Sequence, residues 1–149
     1  MTEYRVKFPL PNGKIVAFEP KNISSIGGLG KKNKDETLEE IAGILEAYKE
    51  PLATLMMETG LKPRNISSML NGAGRRGATT GVKAGLDGLI ASRATLNAFV
   101  KEGIFTPTNL SSILHGARSH VGEALSQLGE HKTALKELVA EGIFTPANL

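Results

Sequence analysis

The stretch FTPTNLSSIL, from Phe105 to Leu114, decides how the chain is read. Proline suits the first position of a helix, because the amide it lacks would have no intrahelical partner there. The threonine before it can accept from a free amide of the first turn. A helix therefore starts at Pro107. Leu110, Ile113 and Leu114 follow at helical spacing, and Gly116 ends the run after about two to three turns. The same pattern returns as FEPKNISSI from Phe18, LKPRNISSML from Leu61 and FTPANL from Phe144, so the starts lie 43, 44 and 39 residues apart. Periods of roughly 40 residues belong to helical repeats.

Working outward, ATLNAFVKEGIF ending at Phe105 matches TALKELVAEGIF ending at Phe144, which aligns Leu96, Phe99 and Val100 with Leu135, Leu138 and Val139. In the second copy the short helix carries Ile66, Met69 and Leu70 and stops at Gly72. A longer helical stretch then carries Leu86, Leu89, Leu96 and Phe99, and its counterpart carries Leu125, Leu128, Leu135 and Leu138; these close at Gly103 and Gly142. Each unit is a short helix, a glycine-rich loop and a long helix, the long helix being bent or broken at Pro51 in the first copy and around Gly129 in the third.

The amino-terminal stretch differs in kind. YRVKF and KIVAF flank PLPNG, which reads as a β-hairpin that must pack on the first repeat to be stable. The expected fold is all-α: a right-handed α-solenoid of short helix–loop–long helix repeats of 39 to 44 residues with a small β-hairpin cap. Residues 1–17 form the cap, 18–60, 61–104 and 105–143 are three repeats, and 144–149 begin a truncated fourth.

Composition excludes several classes. Cysteine is absent, which removes disulfides and cysteine-ligated zinc. No window approaches the roughly 18 uncharged apolar residues of a membrane span, and MTEYRVKF has no signal-peptide core. A soluble, intracellular protein is expected. The net charge of +3 is segmental: residues 1–34 hold seven Lys/Arg against two acids, 35–60 one against seven, and 61–103 seven against two.

The basic residues concentrate where glycine does. Between the short and long helices stand GGLGKKNK from Gly27, NGAGRRG from Asn71 and HGARSH from His115, so the same junction bears Lys31, Lys32 and Lys34, then Arg75 and Arg76, then Arg118 and His120. Glycine lets a backbone come close to another polymer, and cations beside exposed amides suit phosphate oxygens. Stacked repeats would align these loops along one edge, the footprint of a nucleic-acid binder.

At this point FTPTNLSSILHGARSHVGEALSQL resembles the DNA-binding repeat of transcription activator-like (TAL) effectors and their divergent bacterial relatives. The resemblance runs from Phe18 to Leu149. It rests on Phe105, Thr106, Pro107, Ile113, Ala124, Leu125 and Gly142, and more loosely on Leu61, Pro63, Met69 and Leu86. It implies a loop that enters the major groove of duplex DNA and reads a base with a residue pair at its tip. Counting back from Ala124–Leu125 places that pair at Arg118–Ser119, and counting forward from Phe105 places it at Gly116–Ala117. The family's phosphate-approaching lysine falls on Lys83 in the second copy and on Gly122 in the third. Family repeats are near-identical and a few residues shorter than these. The resemblance also implies a bacterial effector that modulates transcription, with the host nucleus as its place of action if it is secreted.

The remaining polar motifs read as structural. Ser24–Ser25, Ser67–Ser68 and Ser111–Ser112 are spacers that let helices approach, with no base beside them. Asn22, Asn65, Asn109 and Asn148 hydrogen-bond backbone at the repeat junction. His115, His120 and His131 have no acidic partner at metal or triad spacing, and no P-loop or dinucleotide fingerprint occurs, so no enzyme, cofactor or small-molecule substrate is expected. Two other readings stand beside duplex DNA. One is a solenoid scaffold for a protein partner, although the acidic block from Asp35 to Glu50 fits a solvated helix face. The other is an RNA-binding helical repeat, although the loops lack aromatic residues for base stacking.

Overall fold

The structure, a computed structural model, describes residues 4–28, 35–74 and 79–140. The chain is mostly helical and begins with a two-stranded antiparallel hairpin. Strands β1 (Val6–Pro9) and β2 (Ile15–Phe18) pair in the register Val6 to Phe18 and Phe8 to Val16. Alternation decides their faces: Val6 and Phe8 are buried and Lys7 is exposed. The turn is closed by Leu10 N–H to the Lys14 carbonyl at 2.7 Å and by Asn12 Oδ1, which accepts from Lys14 N–H at 3.0 Å.

Nine α-helices follow among the described residues: α1 (Pro20–Gly27), α2 (Asp35–Ala47), α3 (Lys49–Thr59), α4 (Pro63–Met69), α5 (Thr79–Ala91), α6 (Arg93–Lys101), α7 (Pro107–Ile113), α8 (Val121–Glu130) and α9 (Lys132–Ala140). The short helices α1, α4 and α7 each open on the proline of the motif. Three residues in, an asparagine reaches back to the amide just before the helix: Glu19 N–H donates to Asn22 Oδ1 (2.8 Å), Lys62 N–H to Asn65 Oδ1 (2.9 Å) and Thr106 N–H to Asn109 Oδ1 (3.1 Å). Among the described copies only the third adds the expected threonine cap, with Asn109 N–H donating to Thr106 Oγ1 at 3.1 Å. Gly72 and Gly116 end the second and third runs with φ of 79° and 72°, a left-handed turn that favours glycine. Gly142 and the motif from Phe144 lie outside the described residues.

The long helix of each copy is two helices. It breaks at Tyr48, Ser92 and His131, each with ψ between 11° and 13°, and resumes with Leu52, Leu96 and Leu135 N–H donating to the carbonyls of those three residues. The first break precedes Pro51 because proline has no amide for the Ala47 carbonyl. The third follows Gly129 by two residues. The second, at Ser92, carries no proline or glycine to announce it.

Equivalent helices of successive copies pack on one another: α1 on α4 and α4 on α7, α2 on α5 and α5 on α8, α3 on α6. Phe18, Leu61 and Phe105, the first residues of the three motifs, are all buried. Phe105 meets Phe99 at a ring separation of 5.1 Å, and Phe18 meets Phe8 at 5.3 Å. The hairpin thus supplies the first copy with the apolar neighbour that α6 supplies to the third. On the other side, Met69 and Leu89 are fully buried, whereas their counterparts Ile113 and Leu128 are only partly so and line an open groove with Leu114 and Ala124. Among the described residues nothing succeeds α7 and α8 to cover them.

Candidate nucleic-acid interface

One bonding pattern ties each copy to the next, and it is used twice. Asn22 Nδ2 donates to Ser67 Oγ (3.4 Å), and Asn65 Nδ2 donates to Ser111 Oγ (3.2 Å). Gly72 N–H donates to the Ser25 carbonyl (2.9 Å), and Gly116 N–H to the Ser68 carbonyl (3.0 Å). Between the third helices, Glu58 holds Arg93 at two points, with Nε to Oε2 at 2.9 Å, and Glu102 holds Lys132 (2.7 Å) and Lys136 (3.0 Å). The serines are therefore more than spacers, since Ser67 and Ser111 are buried acceptors of a cross-copy bond. Asn22, Asn65 and Asn109 bond backbone as expected, and the second polar atom of Asn22 and of Asn65 reaches the next copy.

A base does stand beside one serine, contrary to the sequence reading. His115 Nδ1 lies 2.8 Å from Ser68 Oγ. At the first junction the same place is taken by Asn71, whose Nδ2 donates to Ser25 Oγ at 2.7 Å. An amide cannot act as a general base, so the contact that both junctions share is structural.

The third loop is the best defined. Gly116 and Ala117 carry it away from α7, with Ala117 N–H donating to the Leu114 carbonyl at 3.0 Å. Arg118 then turns left-handed at φ 56°, the one non-glycine residue with positive φ among those described, and opens a short 3₁₀ turn, Arg118–His120, that leads into α8. Its Nε donates to the Asn71 carbonyl of the preceding loop at 3.2 Å. Ser119 is half-buried. His120 is exposed, with Nδ1 3.7 Å from a Glu123 oxygen. Lys83 is exposed on α5 and lines a shallow groove with Glu40 and Tyr48, between α2 and α5. The structure thus gathers Gly116, Ala117, Arg118, Ser119 and His120 in one turn, whereas Lys83 belongs to that groove. Lys31, Lys32, Lys34, Arg75 and Arg76 lie outside the described residues.

Two backbone approaches that the sequence left unread set the spacing under this turn. Gly88 of α5 and Gly122 of α8 meet face to face, and a Cβ on Gly88 would stand 2.9 Å from Gly122 N. A Cβ on Gly85 would stand 3.0 Å from the Arg118 carbonyl oxygen. Two groups carry a shifted pKa. Tyr48 donates its hydroxyl to Asp87 Oδ1 at 2.8 Å; that bond, then burial and the Asp87 charge, raise the phenol above its usual value. Hydrogen bonds from Lys132 and then Lys136 hold the Glu102 carboxyl below the usual carboxylate value. Among the described residues no three His, Asp or Glu side chains converge as a metal site would require, and no helix is long and apolar enough to cross a membrane. No protein-family pattern, curated protein or solved structure matches the chain.

Proposed function

We propose that the chain is a nucleic-acid-binding module, a right-handed α-solenoid that holds duplex DNA along the edge of its glycine-rich loops, as its resemblance to TAL effector repeats implies. The observation that carries this reading is the doubled junction. Because Gly72 bonds to Ser25 and Gly116 to Ser68 in the same way, successive loops follow one another in register. In the sequence each of these junctions is followed by cations, Lys31 and Lys32, Arg75 and Arg76, then Arg118 and His120, and these are the residues assigned to the bound duplex. A row of cations on a duplex releases condensed counterions, which contributes affinity with little dependence on sequence. On α2 the acidic side chains Glu39, Glu40 and Glu46 are exposed to solvent.

The test is a titration against duplex DNA, single-stranded DNA and RNA at several salt concentrations. Duplex DNA should bind most tightly. If each loop cation neutralises one phosphate, replacing Arg75 and Arg76 together with alanine should lower the log–log salt slope by roughly two. If the loop faces solvent as proposed, stability should change by only about half a kcal/mol. Binding of the double variant with undiminished affinity and slope would remove the loop assignment. Absence of binding to any of the three would favour the protein scaffold.

A further inference from the structure

We infer that Arg118 is a clamped phosphate-binding residue, bridging the second and third loops and seating one phosphate of a bound duplex without reading a base; this rests on the DNA-binding reading above. The three loops align as Gly28-Leu29-Gly30, Gly72-Ala73-Gly74 and Gly116-Ala117-Arg118, so an arginine stands where the other copies have glycine. It adopts φ 56°, a conformation that disfavours any side chain, so the surrounding contacts must hold it there.

Those contacts are specific. From behind, the Arg118 carbonyl oxygen rests on α5 at Gly85, where a Cβ would come within 3.0 Å. From the side, the guanidinium lies over Gly72: a Cβ there would stand 3.0 Å from Nε and 3.1 Å from Nη2. Nε is committed to the Asn71 carbonyl, and the two Nη groups have no hydrogen-bond partner among the described residues. A guanidinium offers its donors in a rigid fork that matches phosphate oxygens, and one fixed before binding loses little freedom on contact. Base reading needs a side chain extended into the groove. Arg118 is instead drawn back to the preceding loop, so it meets the strand outline between two copies.

The experiment compares the full chain with Arg118→Gly and Arg118→Lys on duplex DNA of several sequences over a range of salt. Glycine relieves the backbone and matches the other copies, so circular dichroism and the unfolding midpoint should stay close to the parent. Its salt slope should fall by about one, with an equal loss of affinity on every sequence. Lysine keeps the charge without the Nε anchor, so the slope should stay near the parent's while affinity falls. An unchanged slope for Arg118→Gly, or a loss confined to sequences differing at one base, overturns the inference while leaving the loop edge intact. If Arg118→Gly does not fold, Arg118→Lys decides: parental affinity and slope show that the clamp adds nothing. A parent chain that shows no salt-dependent duplex binding removes the underlying reading instead.

Discussion

Replacing Gly88 with alanine sets a steric cost against a propensity gain, and the structure gives both. An added Cβ would lie 2.9 Å from the Gly122 nitrogen and 3.0 Å from its Cα. Carbon contacts are comfortable at about 3.5–4.0 Å, and the obstructing atoms are backbone, which cannot rotate away. The α5 and α8 axes must therefore part by roughly half an ångström, loosening Leu86, Leu89, Val121 and Leu125, all fully buried. Overpacking of this kind costs about 1–3 kcal/mol, against about 0.5–1 kcal/mol gained when alanine replaces glycine within a helix. Gly43 in α2 supplies the control, because nothing lies within 4 Å of its would-be Cβ. Gly43→Ala should stabilise by about 0.5–1 kcal/mol and Gly88→Ala should destabilise by about 0.5–2 kcal/mol, a gap that carries no propensity term. Urea unfolding followed by circular dichroism measures both. Equal stability of the two variants would refute the claim that α5 and α8 meet backbone to backbone.

The junction bonds can be tested in the same way. Asn65→Ala loses its cap to Lys62 and its bond to Ser111 at a buried position, and should cost about 2–3 kcal/mol, whereas Asn109→Ala loses only exposed bonds from the Thr106 amide and hydroxyl and should cost about 1 kcal/mol; equal losses in urea would deny the cross-copy bond any weight. For Glu102 the folded pKa is lowered, so its contribution is present above the unfolded carboxylate value and is lost as pH falls through the lowered one. Glu102→Gln should therefore differ from the parent in unfolding midpoint at neutral pH and converge with it in acid. Tyr48 has the opposite sign: its folded pKa is raised, so the bond to Asp87 contributes below the phenol's usual value of about 10 and is lost as pH climbs through the raised one. Thermal melts of Tyr48→Phe should accordingly show a smaller loss of stability at alkaline pH than the parent.

What the sequence disclosed divides along a physical line. Helix starts at Pro20, Pro63 and Pro107 were legible because proline and the asparagine two positions later act within one turn. The breaks at Tyr48, Ser92 and His131 were only half legible, since a ψ near 12° is open to any residue and only the first and third lie near a proline or glycine. The bond from Asn65 to Ser111 spans two copies, and neither residue signals it within its own copy. Arg118 shows the same limit more sharply: the sequence offered it as a base reader or a phosphate contact, but its fold-back onto Asn71 depends on Gly72 lacking a side chain in another loop. The residues that build the doubled junction, Asn22 and Asn65, Ser67 and Ser111, Gly72 and Gly116, are those that recur unchanged from copy to copy. Not every bonding position is constant, since Asn71 in one copy and His115 in the next each reach a serine of the copy before. Packing holds the first set constant, whereas Ser119 and His120 make no cross-copy hydrogen bond among the described residues, so a change there costs the junction nothing.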